Sequence, residues 1–135
     1  MTFRGTFLSN FWPVEIRWEN ITYPSVEHAY VAAKTDDKNV RYFVSSINTP
    51  GKAKRFGRQL ILRDDWEDVK LNCMREILAL KFAHPDLMQK LKDTAPEYLQ
   101  ELNDWGDTFW GVVSVNGELV GENWLGRLLM EIRDD

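Results

Sequence analysis

The chain has 135 residues, 44% of them hydrophobic and 28% charged, with a formal net charge of −4. That balance describes a soluble globular domain large enough to bury a core without a disulfide or a metal staple, and its acid surplus argues against a general nucleic-acid binder. Cys73 is the lone cysteine, and His28 and His84 lie far apart, so no Cys/His cluster offers a metal site; no apolar run reaches membrane-spanning length.

The first segment, MTFRGTFLSNFW, lacks both a long apolar run and a cleavage site, which predicts a cytosolic address. Residues 14–17 and 21–23 alternate apolar and polar around Glu19-Asn20, the pattern of a short hairpin. Pro24-Ser25 then opens a helix over 26–34, with Ser25 as N-cap and Ala29, Ala32 and Ala33 allowing close packing. A second helix is expected over 38–47, ending before Thr49-Pro50-Gly51, and a short basic helix or turn over 52–58. The clearest helix runs from about Asp65 to His84. There Trp66, Val69, Cys73, Ile77 and Leu80 recur at helical spacing, with Met74, Leu78 and Phe82 widening the stripe. Pro85 restarts a shorter helix through Lys92. Asn116-Gly117, between β-prone residues of 112–120, signals a type I′ hairpin. The last helix spans about 124–133 and turns Leu125, Leu128, Leu129 and Ile132 inward, with Asn123 as its N-cap and its free N–H groups available to an anion. The sum is a single α+β domain, mainly helical, with small antiparallel β pieces. Neither GxGxxG nor a P-loop occurs, which disfavours a Rossmann-type fold.

Three clusters stand out against this background. Glu27, Tyr30 and Lys34 fall at i, i+3 and i+7, so one helix face carries an acid, a ring and a base; a solvated helix start, where the dipole favours Glu, is the plainer alternative. Asp104-Trp105-Gly106-Asp107-Thr108-Phe109-Trp110-Gly111 packs two carboxylates and three aromatics into a turn. That turn either lines a pocket or closes over the core with Asp104 or Asp107 capping backbone groups. Lys52, Lys54, Arg55 and Arg58 suit a phosphate or simply make a solvated basic face.

Read in order, the segments resemble the NADAR family, also called YbiA-like, whose name refers to NAD and ADP-ribose. The resemblance rests on Phe7-Leu8-Ser9-Asn10-Phe11, Tyr23-Pro24-Ser25-Val26-Glu27-His28-Ala29-Tyr30 and Ala33-Lys34, followed by Thr49-Pro50, Ala53-Lys54 and Gly57-Arg58. Asp65-Trp66, Lys70, Met74 and Lys81-Phe82 continue it, and Asp107, Trp110-Gly111, Asn123, Leu125-Gly126, Leu129-Met130 and Arg133 close it. The resemblance implies a helix-rich α+β domain. It also implies an N-glycosidase acting on phosphoribosylamino-pyrimidine intermediates of riboflavin synthesis or on ADP-ribosylated guanine in nucleic acid. Carried over by position, Glu27, Trp66, Asp107 and Trp110 form the functional core, with Asn10, Lys34, Arg58 and Asn123 as substrate contacts; Tyr30, on the helix face of Glu27 and Lys34, joins those contacts.

Cleaving a ribosyl C–N bond requires charge stabilisation at the anomeric carbon, an activated water and a protonated leaving group. The expectation is therefore that Glu27 and Asp107 form two walls of one pocket and divide that work. Trp66 and Trp110 stack on the base or close the pocket against water, Lys34 and Arg58 hold phosphate, and Asn10 and Asn123 bind the ribose. No metal or redox cofactor is called for. The rival from another class is a non-catalytic sensor of ADP-ribose or NAD.

Overall fold

The computed structural model describes residues 2–135. Its elements follow the order β1 (Ile16–Trp18), β2 (Ile21–Tyr23), α1 (Val26–Ala33), α2 (Lys38–Ser45), α3 (Pro50–Gly57), α4 (Trp66–Lys81), α5 (Pro85–Lys92), β3 (Val113–Val115), β4 (Glu118–Val120) and α6 (Trp124–Asp134). The expected α+β class holds, and every expected element is present, several with shifted ends. The chain forms two compact units, residues 10–81 and residues 2–9 with 82–135.

In the first unit, Glu19 and Asn20 both take positive φ, 46° and 71°, and so turn β1 back on β2 with Ile16 opposite Tyr23 and Trp18 opposite Ile21. Those four side chains are buried while Arg17 and Thr22 face out, the period-two pattern of a half-buried hairpin. Helix α1 packs against α2, α3 and α4. Eight residues would be marginal as an isolated helix, so burial of Val26 and of residues 28–33 holds it. Its close approach to α3 needs Gly57, where a Cβ would stand 3.0 Å from Val31 Cγ2. Within α1 and its C-cap, the half-buried side chains are Glu27 and Lys34. Helix α4 departs from the expected stripe: Leu80 is exposed, and Lys81 lies fully buried beside the line of Cys73, Met74, Ile77 and Leu78. The reason is geometric, since residue 81 falls on the centre of that line and residue 80 at its margin.

In the second unit, α5 packs on α6, and Leu8, Leu91, Leu99, Leu125, Leu128 and Leu129 are among its most deeply buried apolar side chains. Asn116 and Gly117, at φ 52° and 83°, make the expected hairpin turn between β3 and β4. Residues 101–103 lie alongside Val112: Val112 N donates to Glu101 O at 2.8 Å, and Asn103 N donates to Val112 O at 3.0 Å. Gly111 permits this, because a Cβ there would collide with the Glu101 carbonyl. At the end of α6, Ile132 is only half-buried and Arg133 goes inward, donating to Glu97 O at 2.6 Å. Among the described residues no helix is long and apolar enough to cross a membrane.

Candidate active site

Within residues 10–81, the site begins with the way α1 starts. The Ser25 side chain accepts from His28 N at 3.2 Å, the expected N-cap, and its hydroxyl also meets His28 Nδ1 at 2.7 Å. His28 Nε2 donates to Ile47 O at 2.8 Å, so the buried ring is held neutral with its proton on Nε2. Burial depresses the His28 pKa, against the opposing effect of that backbone bond. This fixes the first turn, and with it Glu27, whose N–H donates to Asn10 O at 3.0 Å. Asn10 is thereby tied to the start of α1. Its Nδ2 lies 4.0 Å from Met74 Sδ, and its Oδ1 is a buried acceptor with no hydrogen-bond partner among the described residues.

One turn on, the Tyr30 ring packs against Trp66 at 5.3 Å between centroids, tilted by 53°. Both rings are buried. Lys34 Nζ stands 5.5 Å from the centre of the Tyr30 ring and faces α3, where a Cβ on Gly57 would lie 3.6 Å from it. Burial is the main cause that lowers the Lys34 pKa. Glu27 opposes that shift, while Arg58, Lys54 and Lys70 reinforce it, so one carboxylate and three further cations surround this ammonium. Arg58 is exposed at the C-cap of α3. Lys70 pairs with Glu67 at 2.7 Å. The group is fixed by Arg63, which sequence reasoning passed over. Its N–H donates to Lys34 O at 2.8 Å, its carbonyl accepts from Trp66 N at 3.1 Å, and its guanidinium grips both oxygens of Asp65. Arg63 therefore fastens the end of α1 to the beginning of α4. The spacing Arg63-x-Asp65 before a helix was the available signal.

In the second unit, Asp107 is half-buried and its Oδ1 accepts from Phe109 N at 3.0 Å and Trp110 N at 2.9 Å. The capping role considered from the sequence is therefore present. The same loop carries Trp110, half-buried and edge-on to Phe109 at 4.8 Å. It docks on the start of α6, where Asn123, Trp124 and Leu125 donate their N–H groups to the carbonyls of Gly111, Phe109 and Trp110. Two expectations are corrected here. The first N–H groups of α6 are engaged by backbone carbonyls and so do not await an anion. Asn123 occupies the N-cap position, but in a left-handed conformation at φ 53° and without a side-chain cap bond. Its amide instead donates to Leu99 O and accepts from Glu101 N, each at 3.0 Å, which fastens the 99–101 segment.

Glu27, Tyr30, Lys34, Arg58, Trp66 and Asn10 thus belong to the first unit, and Asp107, Trp110 and Asn123 to the second. Trp105 stands apart from the other aromatics of its turn: it is exposed, with the Arg4 guanidinium 5.5 Å from its ring centre, and Arg4 pairs with Asp104 at the surface. An open cleft of about 620 Å³ beside them is lined by Arg4, Leu102, Asn103, Asp104 and neighbours, and includes none of the expected site residues. Among the described residues no group of three or more His, Cys, Asp and Glu is gathered as a metal ion would need.

Residues 3–135 match the family model of the NADAR domain. The N-glycosidase YbiA of Escherichia coli is 38% identical, the alignment covering 93% of this chain and 78% of that protein. A Vibrio vulnificus protein named Riboflavin biosynthesis protein VVA0006 is 36% identical over 96% of this chain, which spans 35% of that longer relative. The NMR structure of Escherichia coli YbiA superposes with a TM-score of 0.80 at 37% identity, covering 95% of this chain and 76% of that one.

Proposed function

Because the chain belongs to the NADAR domain family, we propose that it is an N-glycosidase that hydrolyses the bond between ribose C1′ and a nitrogen of a nucleotide-like substrate. The observation that carries this reading is the setting of Glu27: a half-buried carboxylate beside Lys34, with Arg58, Lys54 and Lys70 around that lysine and the Tyr30–Trp66 ring pair one turn away. A phosphorylated ribosyl group needs such cations, and a ribosyl cation needs such a carboxylate.

In the reaction the C1′–N bond breaks and its electron pair leaves with the nitrogen, which takes up a proton. Water adds its oxygen to C1′ and gives up a proton. Glu27 orients that water and offsets the positive charge growing on the sugar, while Lys34 and Arg58 hold the phosphate. Asn10, whose buried Oδ1 lacks a partner among the described residues, accepts from a ribose hydroxyl. Trp66 and Tyr30 give the leaving base an apolar wall. Asp107, which the family resemblance carries over as functional, has one oxygen fixed by two N–H groups, one of them that of Trp110 in the same loop. Asn123 acts by shaping the backbone. Two substrate classes follow from the family resemblance, an aminopyrimidine ribotide and ADP-ribosylated guanine, and riboflavin biosynthesis appears in the name of the longer Vibrio vulnificus relative.

The test is incubation in ¹⁸O-labelled water with a panel containing both substrates, followed by mass spectrometry. The expected products are a ribosyl species carrying the label and a base without it. Label in the base, or ligand recovered intact after prolonged incubation with bound protein, contradicts hydrolysis at C1′; the second result describes a sensor.

A further inference from the structure

One buried side chain governs the geometry of the Asp107 loop. Asn103 is only 6% exposed, and its amide pairs with both backbone polar groups of Asp107: Nδ2 donates to Asp107 O at 2.8 Å, and Oδ1 accepts from Asp107 N at 3.0 Å. The same Nδ2 lies 3.3 Å from Val112 O, which also accepts from Asn103 N. A single side chain thus acts as a short strand would, bonding a donor and an acceptor on one residue and anchoring both to the 101–103 and 112 pairing. From Asp107 the order passes onward, because its Oδ1 bonds Phe109 N and Trp110 N. The carbonyls of Phe109 and Trp110 then accept the first N–H groups of α6. Asp104, Trp105 and Gly106, the residues spanned by the amide, are all exposed, with Arg4 against the first two.

We propose that Asn103 is the positioning residue that sets Asp107 and Trp110 for the reaction, acting through the backbone of Asp107 without touching substrate. The inference rests on the reading of Asp107 given above. Side-chain chemistry explains why asparagine stands there. Aspartate keeps the acceptor but loses the donor, and would turn a charge on the carbonyls of Asp107 and Val112. Serine is too short to span an N–H and a carbonyl together, and glutamine displaces the amide by one methylene.

Three variants test this, each assayed for ribosyl hydrolysis and for folding by thermal denaturation. Asn103→Ala should lower kcat about 100-fold, the cost of a displaced functional group, with KM changed by less than about threefold. Asn103→Asp supplies a readout that a merely structural role would not move. When its carboxyl is protonated, the O–H can donate to Asp107 O while the other oxygen accepts from Asp107 N. The ratio of its kcat to that of the wild type should therefore rise as pH is lowered. Asp107→Asn is the control for the underlying reading. If it abolishes turnover while folded Asn103→Ala keeps wild-type kcat, or if the Asn103→Asp ratio is flat with pH, the positioning role is overturned. If Asp107→Asn itself turns over normally, the assignment of Asp107 fails and takes the positioning role with it, a result distinguishable from the first two.

Discussion

At the scale of single residues, Lys34 carries the most specific expectation. Burial, helped by Arg58, Lys54 and Lys70, lowers its pKa, with Glu27 opposing. A lysine shifted in that direction gives up its proton at lower pH than a free one, so its hold on phosphate weakens early as pH rises. KM for a phosphorylated ribosyl substrate should be flat at low pH and climb below the usual lysine range, with kcat less affected. Lys34→Arg should remove the climb, because a guanidinium stays charged. A KM that rises identically in Lys34→Arg assigns the titration to another group. The sequence made this residue legible, since i, i+3 and i+7 spacing put Glu27, Tyr30 and Lys34 on one face. It did not make Asn123 legible. An asparagine before a helix reads as a cap, and nothing local reveals that its amide is drawn to Leu99 and Glu101, more than twenty positions away in sequence.

At the scale of elements, turns and two helix starts are legible in the sequence, because their chemistry is local. Ser25, Asn116-Gly117 and the proline at the head of α5 each act through bonds or torsions within a few residues. What stayed hidden depends on long-range contact: Arg63 joining α1 to α4, and Gly111 letting residues 101–103 lie against 112. The glycine yields a test. Gly111→Ala must push its Cβ against the Glu101 carbonyl and toward Asn103 Nδ2, 2.8 Å away. Backbone cannot step aside as a flexible side chain does, so the substitution should cost more than about 2 kcal/mol in urea denaturation. Unchanged stability would mean that the two segments are not held as closely as described.

At the scale of the whole molecule, charge distribution reconciles an acidic chain with an anionic substrate. From Lys38 to Arg63 the chain places Lys38, Arg41, Lys52, Lys54, Arg55, Arg58 and Arg63 without one acidic residue, so the net −4 arises elsewhere. Lys81 is the most deeply buried of the basic side chains, ahead of Arg41 and Arg133. It is fully buried, and burial brings its pKa down to about 7 from 10.5. Between those values the unfolded chain binds the proton that the folded chain has released, so stability should rise with pH, by up to about 1.4 kcal/mol per unit. Urea midpoints for the wild type and Lys81→Met, measured from about pH 7 to about pH 9, should show a climb in the first that flattens in the second. Parallel curves would mean that the amine does not titrate in that window.

The central claim is that a carboxylate in the first turn of α1 drives cleavage at C1′, and one measurement bears on it most directly: turnover of an aminopyrimidine ribotide by the wild type and by Glu27→Gln, followed as released ribosyl phosphate. The wild type should release it, and Glu27→Gln, folded and with KM nearly unchanged, should be slower by at least about 100-fold. Equal turnover by the two proteins would contradict the account.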